Sequence, residues 1–192
     1  MKKLIEYIKY IKQILSSKTE HTIARILFNY SLKIATAESC TGGLLSSRLT
    51  DIAGSSSYTK ANFVTYANEA KQELLGVREE TLREHGAVSE ECAIEMAEGL
   101  YKKTGCDIAI STTGIAGPTS PEDDKPVGLI YIAIKNEYTV QTKEYRLNPE
   151  TNRKKMKFLF TQKALEFLTE FLNDNYTNIK QQLSESTNQD IP

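Results

Sequence analysis

The residues best suited to chemistry gather in one short run, Ala37-Glu38-Ser39-Cys40-Thr41-Gly42-Gly43, which supplies two hydroxyls, a thiol and two glycines. Leu32 to Thr36 ahead of it reads as a short strand, and Leu44, Leu45 and Leu49 behind it fall at helical spacing. A strand handing over to a helix presents backbone N–H groups at the positive end of the helix dipole, where an anion or a developing oxyanion is stabilised. A plain capping turn uses the same residue types, so the run takes its meaning from the rest of the chain. Serine nucleophiles are available at Ser39 and in the loop Ala53-Gly54-Ser55-Ser56-Ser57, and each needs a base. Neither histidine suits that role, and His85, just before Gly86, reads as the last turn of a helix. Lys71 is the stronger candidate. It lies three residues after Asn68, read as a helix cap, so its cation opposes the helix dipole and the neutral amine is favoured. Tyr66 precedes that helix and is placed to relay a proton or orient the lysine.

The elements that must hold these residues read as alternating helices and strands. Leu4, Ile8, Ile11 and Leu15 mark one face of an amphipathic helix, followed by a polar break from Ser16 to Glu20 and a second helix reaching Tyr30. Phe63 to Tyr66 reads as a strand, Asn68 to Gly76 as a helix with its stop signal, and Glu79 to His85 as a shorter helix. The clearest helix is capped by Ser89, with Glu90 and Glu91 in its first turn, Lys102 and Lys103 in its last, and Gly105 beyond. Asp107 to Ser111 reads as a strand entering the loop Thr112 to Pro118. Val127 to Ile134 is a further strand, Tyr138 to Tyr145 a polar edge strand, and Thr151 to Leu172 a long closing helix. This alternation predicts an α/β fold, a three-layer sandwich with a mixed, mostly parallel central sheet flanked by helices. Ligands of such sheets sit beyond the carboxyl ends of strands. The loops Ser39–Gly43 and Thr113–Gly117 are therefore expected to line one crevice. Residues 1–20 read as an N-terminal amphipathic helix extension, 21–173 as one catalytic domain, and 174–192 as a polar, flexible tail.

Composition removes several classes of function. A net charge of -1 with 26% charged residues leaves no electrostatic footprint for nucleic acid, and Arg153-Lys154-Lys155 with Lys157 reads as a solvated helix face. Cys40, Cys92 and Cys106 show no CxxC spacing, which argues against a disulfide framework or zinc site and for reduced cytosolic thiols. With two histidines, metal chemistry is not expected. No stretch approaches the ~18 apolar residues of a membrane span. Lys9 and Lys12 break the N-terminal apolar run, and no small-residue cleavage site follows it. A cytoplasmic protein is expected, with no nucleic-acid or membrane partner.

Several ordered motifs resemble one family. They are Ala37-Glu38-Ser39-Cys40-Thr41-Gly42-Gly43, Gly54-Ser55-Ser56, Tyr66-Ala67-Asn68-Glu69-Ala70-Lys71, His85-Gly86-Ala87-Val88-Ser89-Glu90, and Gly114-Ile115-Ala116-Gly117-Pro118 followed by Lys125-Pro126-Val127-Gly128. Together they are similar to the signature of the CinA C-terminal family over residues 22–172. Its members of known activity are nicotinamide-nucleotide amidases. The resemblance implies hydrolysis of the carboxamide of nicotinamide mononucleotide to nicotinate mononucleotide and ammonia, by serine–lysine chemistry without a metal or cofactor. It implies Lys71 as general base with Tyr66 beside it. Ser56 is the first choice of nucleophile and Ser39 the second. The other serine, with Cys40, Thr41 and the Gly42 and Gly43 backbone, is expected to shape the oxyanion site or hold substrate. Thr113, Gly114, Ala116 and Gly117 would line the other wall, and Arg153 would pair with the substrate's phosphate or ribose. A homodimer is compatible with the family and with the apolar face of the first helix. The chain departs from the family in Pro118-Thr119-Ser120-Pro121-Glu122-Asp123-Asp124, where a glycine-rich run is usual, and in Thr151-Asn152, where Gly-Asp is usual. It also carries Tyr58, Thr59 and Lys60 between the serine loop and the next strand. The changed loop keeps open a different carboxamide substrate. A weakly catalytic nucleotide-binding module with a competence- or damage-related role is the alternative from another class. With 192 residues, the chain is not expected to carry the N-terminal nucleotide-processing domain of larger members.

Overall fold

The structure, a computed structural model, describes residues 18–120 and 124–177. The amphipathic helix expected over residues 1–20 therefore lies almost wholly outside the described residues. Chain order runs α1 (Lys18–Asn29), β1 (Ile34–Glu38), α2 (Leu44–Thr50), a 3₁₀ turn (Ser55–Ser57), β2 (Thr59–Val64), α3 (Asn68–Leu75), α4 (Glu79–Glu84), α5 (Glu90–Thr104), β3 (Ile108–Gly114), β4 (Leu129–Lys135), β5 (Val140–Arg146) and α6 (Arg153–Leu172). The sheet order is β2-β1-β3-β4-β5. β1 pairs in parallel with β2 and β3, while β4 is antiparallel to β3 and to β5. The expected three-layer α/β architecture with a mixed sheet is what the chain adopts.

The two faces of the sheet are built differently. Strand side chains alternate between faces, and Ile34, Ile108, Ile110, Ile130, Ile132 and Ile134 all point to the layer of α1, α2 and α6. Ala35, Ala37 and Ala109 point to the opposite layer, where α3 and α5 pack, and Ala133 there meets Ala93 and Ala97. Small residues allow α5 to lie close to the strands. Closeness recurs between α5 and the end of α3: a Cβ added at Gly99 would fall 1.7 Å from the Leu75 carbonyl oxygen. Only glycine fits there.

Several expected boundaries shift, each for a local reason. Lys18 to Glu20 is the first turn of α1 and not a break, because Glu20 is buried against Arg48, whose Nε donates to Glu20 Oε1 at 2.7 Å. β3 continues through Thr112, Thr113 and Gly114, read from sequence as loop. Their hydroxyls are satisfied internally, Thr112 with Thr41 at 2.8 Å and Thr113 donating to the Ala87 carbonyl at 2.6 Å. The cap of α3 is Ala67, with Asn68 the first helical residue and no side-chain cap. The expected flexible tail from 174 begins as an ordered π turn, Asn173–Thr177, in which Tyr176 packs its ring 6.1 Å from that of Tyr30. Residues 178–192 lie outside the described part. No described helix is long and apolar enough to cross a membrane.

Candidate active site

β1 delivers the Ser39–Gly43 loop to the carboxyl end of the sheet. The Ser39 amide donates to the Thr112 carbonyl at 2.9 Å, prolonging the β1–β3 ladder, and its carbonyl accepts from the Gly42 amide at 3.1 Å. The helix end beyond is already occupied by a carboxylate of the chain. Glu38, 0% exposed, accepts from the Gly43 amide at 2.9 Å, Leu45 at 3.0 Å and Ser46 at 2.8 Å, and from the Ser46 hydroxyl. The positive end of α2 is therefore neutralised from within. This corrects the expectation that the Gly42 and Gly43 backbone serves an oxyanion or substrate: both amides are committed, to Ser39 and to Glu38. Gly43 takes φ 90 at this turn, a conformation that favours glycine. Thr41 is likewise structural, buried and bonded to Thr112.

A pocket of about 210 Å³ opens beside this loop. Ser39, Cys40, Tyr66 and Lys71 line one side, Thr113, Gly114, Ala116 and Gly117 the other, and Arg153 closes the rim. Lys71 comes from the first turns of α3 and is 1% exposed. Its Nζ donates to the carbonyls of Thr65 at 3.1 Å and Tyr66 at 3.2 Å. Burial pulls its pKa below the usual lysine value, a trend that Cys92, Cys40 and Glu69 oppose. A neutral amine has two N–H bonds and one lone pair. With both N–H groups given to those carbonyls, the lone pair is left as the acceptor in a pocket-lining group. Cys40 is a poor alternative nucleophile: burial, and then the Glu38 carboxylate, push its thiol up to about 12.

Arg153 is the first residue of α6, whose cap Asn152 accepts from the Lys155 amide at 3.0 Å. Its guanidinium bridges the rim, Nη1 donating to the Gly117 carbonyl and Nη2 to the Tyr66 hydroxyl, each at 2.6 Å. Tyr66 is 59% exposed, so its ring lies at the mouth of the pocket. Sequence reading missed Asn68, Ala87 and Val88 as pocket residues. The motif Tyr66-Ala67-Asn68-Glu69-Ala70-Lys71 was the signal for Asn68 and His85-Gly86-Ala87-Val88-Ser89-Glu90 that for Ala87 and Val88, but each names a stretch and not the side that faces the cleft.

Ser56, the first-choice nucleophile, is not in this pocket. It sits in the 3₁₀ turn ahead of β2, while Tyr66 and Lys71 follow β2. The register pairs Ile34 with Thr59 and Glu38 with Val64, so the turn lies at the amino end of the sheet and the pocket at the carboxyl end. Six strand residues intervene, about 20 Å of chain. Within one chain Lys71 shares its pocket with Ser39 and not with Ser56. Among the described residues no group of three histidine, cysteine, aspartate or glutamate side chains is arranged to hold a metal ion.

Residues 16–172 match the family model of the CinA C-terminal domain. A CinA-like protein of Chloroherpeton thalassium is 51% identical over 156 residues, covering 80% of this chain and 37% of that protein. Another from Chlorobium phaeobacteroides is 49% identical over 160 residues, covering 81% and 37%. The chain thus spans little more than a third of these relatives. Among solved structures, the competence damage-inducible protein A of Klebsiella pneumoniae superposes with a TM-score of 0.79 at 34% identity, covering 83% of this chain and 98% of that one. A competence/damage inducible protein of Agrobacterium tumefaciens gives 0.74 at 41% identity, covering 81% and 95%.

Proposed function

This chain belongs to the CinA C-terminal domain family, and on that premise we propose that it is an amidohydrolase converting nicotinamide mononucleotide to nicotinate mononucleotide and ammonia, with Ser39 as nucleophile and Lys71 as general base. The observation that carries the reading is the buried Lys71 amine, held by two backbone carbonyls in the pocket that also contains Ser39. A lysine kept from water, its pKa lowered by burial against the opposing pull of Cys92, Cys40 and Glu69, is suited to act as a general base.

In this reading Lys71 takes the proton of the Ser39 hydroxyl as the oxygen attacks the carboxamide carbon, giving a tetrahedral oxyanion. The Cys40 and Thr41 amides, which Glu38 does not engage, are the loop donors nearest in sequence for that charge. The Lys71 ammonium returns the proton to the amide nitrogen, the carbon–nitrogen bond breaks, and ammonia leaves a nicotinoyl ester on Ser39. Water, deprotonated by Lys71, then attacks the ester; the carboxylate product departs and the serine hydroxyl is restored. Arg153, with paired donors, suits the nucleotide phosphate once it releases Tyr66 and Gly117.

The test is ammonia release from nicotinamide mononucleotide by the purified chain, beside Lys71→Ala and Ser39→Ala variants checked for folding. Loss of release in both variants supports the reading. Nucleotide binding by the wild-type chain without ammonia release favours the binding module, and release from another carboxamide alone moves the substrate.

A further inference from the structure

Most polar side chains around the Ser39–Lys71 pocket are already committed. Thr113 donates to the Ala87 carbonyl, Lys71 to two carbonyls, and Arg153 spans the Gly117 carbonyl and the Tyr66 hydroxyl. Three lining side chains with a hydroxyl or amide make no hydrogen bond among the described residues: Ser39, Asn68 and Thr119. Ser39 is the nucleophile of the proposed amidase, which leaves Asn68 and Thr119 without work. Asn68 and Lys71 stand three residues apart in α3 and so share a helix face. Asn68 is on the turn nearer the mouth, beside Tyr66, whereas Lys71 lies at the base, 1% exposed. Thr119 lies two residues beyond Gly117, whose carbonyl holds Arg153, and so belongs to the opposite wall. Both side chains are exposed, which keeps them hydrated until a ligand displaces the water.

We propose that Asn68 and Thr119 read the ribose diol of the substrate, so that the site selects a ribosylated carboxamide over the free base. The proposal deepens the amidase reading and rests on it for the direction in which the substrate lies. The carboxamide must meet Ser39 and Lys71 at the base, and the phosphate must meet Arg153 at the rim. A mononucleotide carries its ribose between those two ends, at the level of Asn68 and Thr119. The pocket, about 210 Å³, is smaller than the ~300–1,000 Å³ of sites that enclose a drug-sized ligand. It therefore takes the aromatic ring and leaves the sugar at the mouth, where both side chains stand. Their chemistry matches a diol. A sugar hydroxyl both donates and accepts; the Asn68 amide offers an acceptor and a donor side by side, and the Thr119 hydroxyl serves in either sense. Neither residue carries charge, so the pair suits the neutral sugar and leaves the phosphate to Arg153. A site built to hydrogen-bond a substrate hydroxyl rejects an analogue that lacks it, because the site's own polar groups are then left unpaired.

The test reads binding, so it fails separately from the amidase reading. Titration calorimetry is run on a Ser39→Ala chain, which should bind without turnover, using nicotinamide mononucleotide and its 2′,3′-dideoxy analogue. The pocket should prefer the mononucleotide by about tenfold or more. In the same background, Asn68→Ala and Thr119→Val should each weaken the mononucleotide by about five- to tenfold and leave the dideoxy analogue unchanged. Thr119→Ser, which keeps the hydroxyl, should restore the mononucleotide's affinity. A residue that only supports the pocket would weaken both ligands together. Equal loss for the two ligands, or full affinity for the mononucleotide in either variant, overturns the ribose reading whatever the rate of ammonia release. A wild-type chain that discriminates between the ligands in this way but releases no ammonia sinks the amidase reading and upholds this one.

Discussion

Glu38 and Lys71 are both buried, both ionisable and both at the carboxyl end of the sheet, yet they are treated in opposite ways. Glu38 receives three backbone amides and a hydroxyl at the start of α2, so its charge is fully answered. Lys71 receives two carbonyls and no carboxylate, and burial lowers its pKa. A satisfied buried charge organises structure, whereas an under-satisfied one is held ready to change protonation state. On the proposed amidase reading, Glu38 belongs to architecture and Lys71 to chemistry.

Substitution should separate them cleanly. Lys71→Met keeps the length of the side chain and removes the amine. It should lower kcat/KM for nicotinamide mononucleotide by about 10³-fold, roughly 4 kcal/mol, without lowering the midpoint of urea unfolding. A destabilised Lys71→Met protein would erase the distinction. Glu38→Ala should do the reverse of Lys71→Met: three amides lose their acceptor in a buried site, and unfolding free energy should fall by roughly 3 kcal/mol or more. Chemical denaturation of both variants in one buffer reads the contrast directly.

Titration sharpens the same contrast. The lysine pKa is depressed in the folded chain, so between that value and the ordinary 10.5 the unfolded chain binds more protons. The contribution of Lys71 to stability should therefore rise with pH across that window, by about 1.4 kcal/mol for each unit of depression, against the opposite trend of the buried Cys40 and Cys92 thiols above pH 9. Below the folded-state pKa the penalty is present in full. The difference in stability between wild type and Lys71→Met should follow that slope, and wild-type kcat/KM should climb as pH passes the folded-state lysine pKa at the lower edge of the window and level off above it.

How much of this was legible beforehand depended on whether the cause was local. The Ser89–Gly105 helix was readable because its cap, its charges and its stop lie in the helix itself, and the Ser89 hydroxyl does accept from the Cys92 amide. The junction after β1 was found as a place where amides gather. Its occupant was not, although Glu38 stands in the motif, because a glutamate reaching forward to a helix start looks like any exposed acid until the strand is known to be buried on both sides. Ser56 failed for a different reason. Motif order places residues along the chain, whereas a strand carries its two flanking loops to opposite ends of the sheet. Knowing that Ser56 and Lys71 flank one strand should have argued against their meeting within a single copy.

Arg153 marks the boundary of the comparison, since its charge is exposed and its partners are a carbonyl and a phenol. It is neither buried nor part of the proposed proton transfer, so its substitution should leave both stability and the chemical step nearly untouched. What it offers is a planar fork, now spread between Gly117 and Tyr66. A lysine there keeps the charge and loses the fork. Arg153→Lys should raise KM for the mononucleotide about tenfold, near 1.4 kcal/mol, with kcat and the unfolding midpoint close to wild type. The nucleoside lacking the phosphate should show no such difference between the two proteins. Equal KM changes for both substrates would mean that Arg153 acts by holding Tyr66 at the rim and not by reading phosphate.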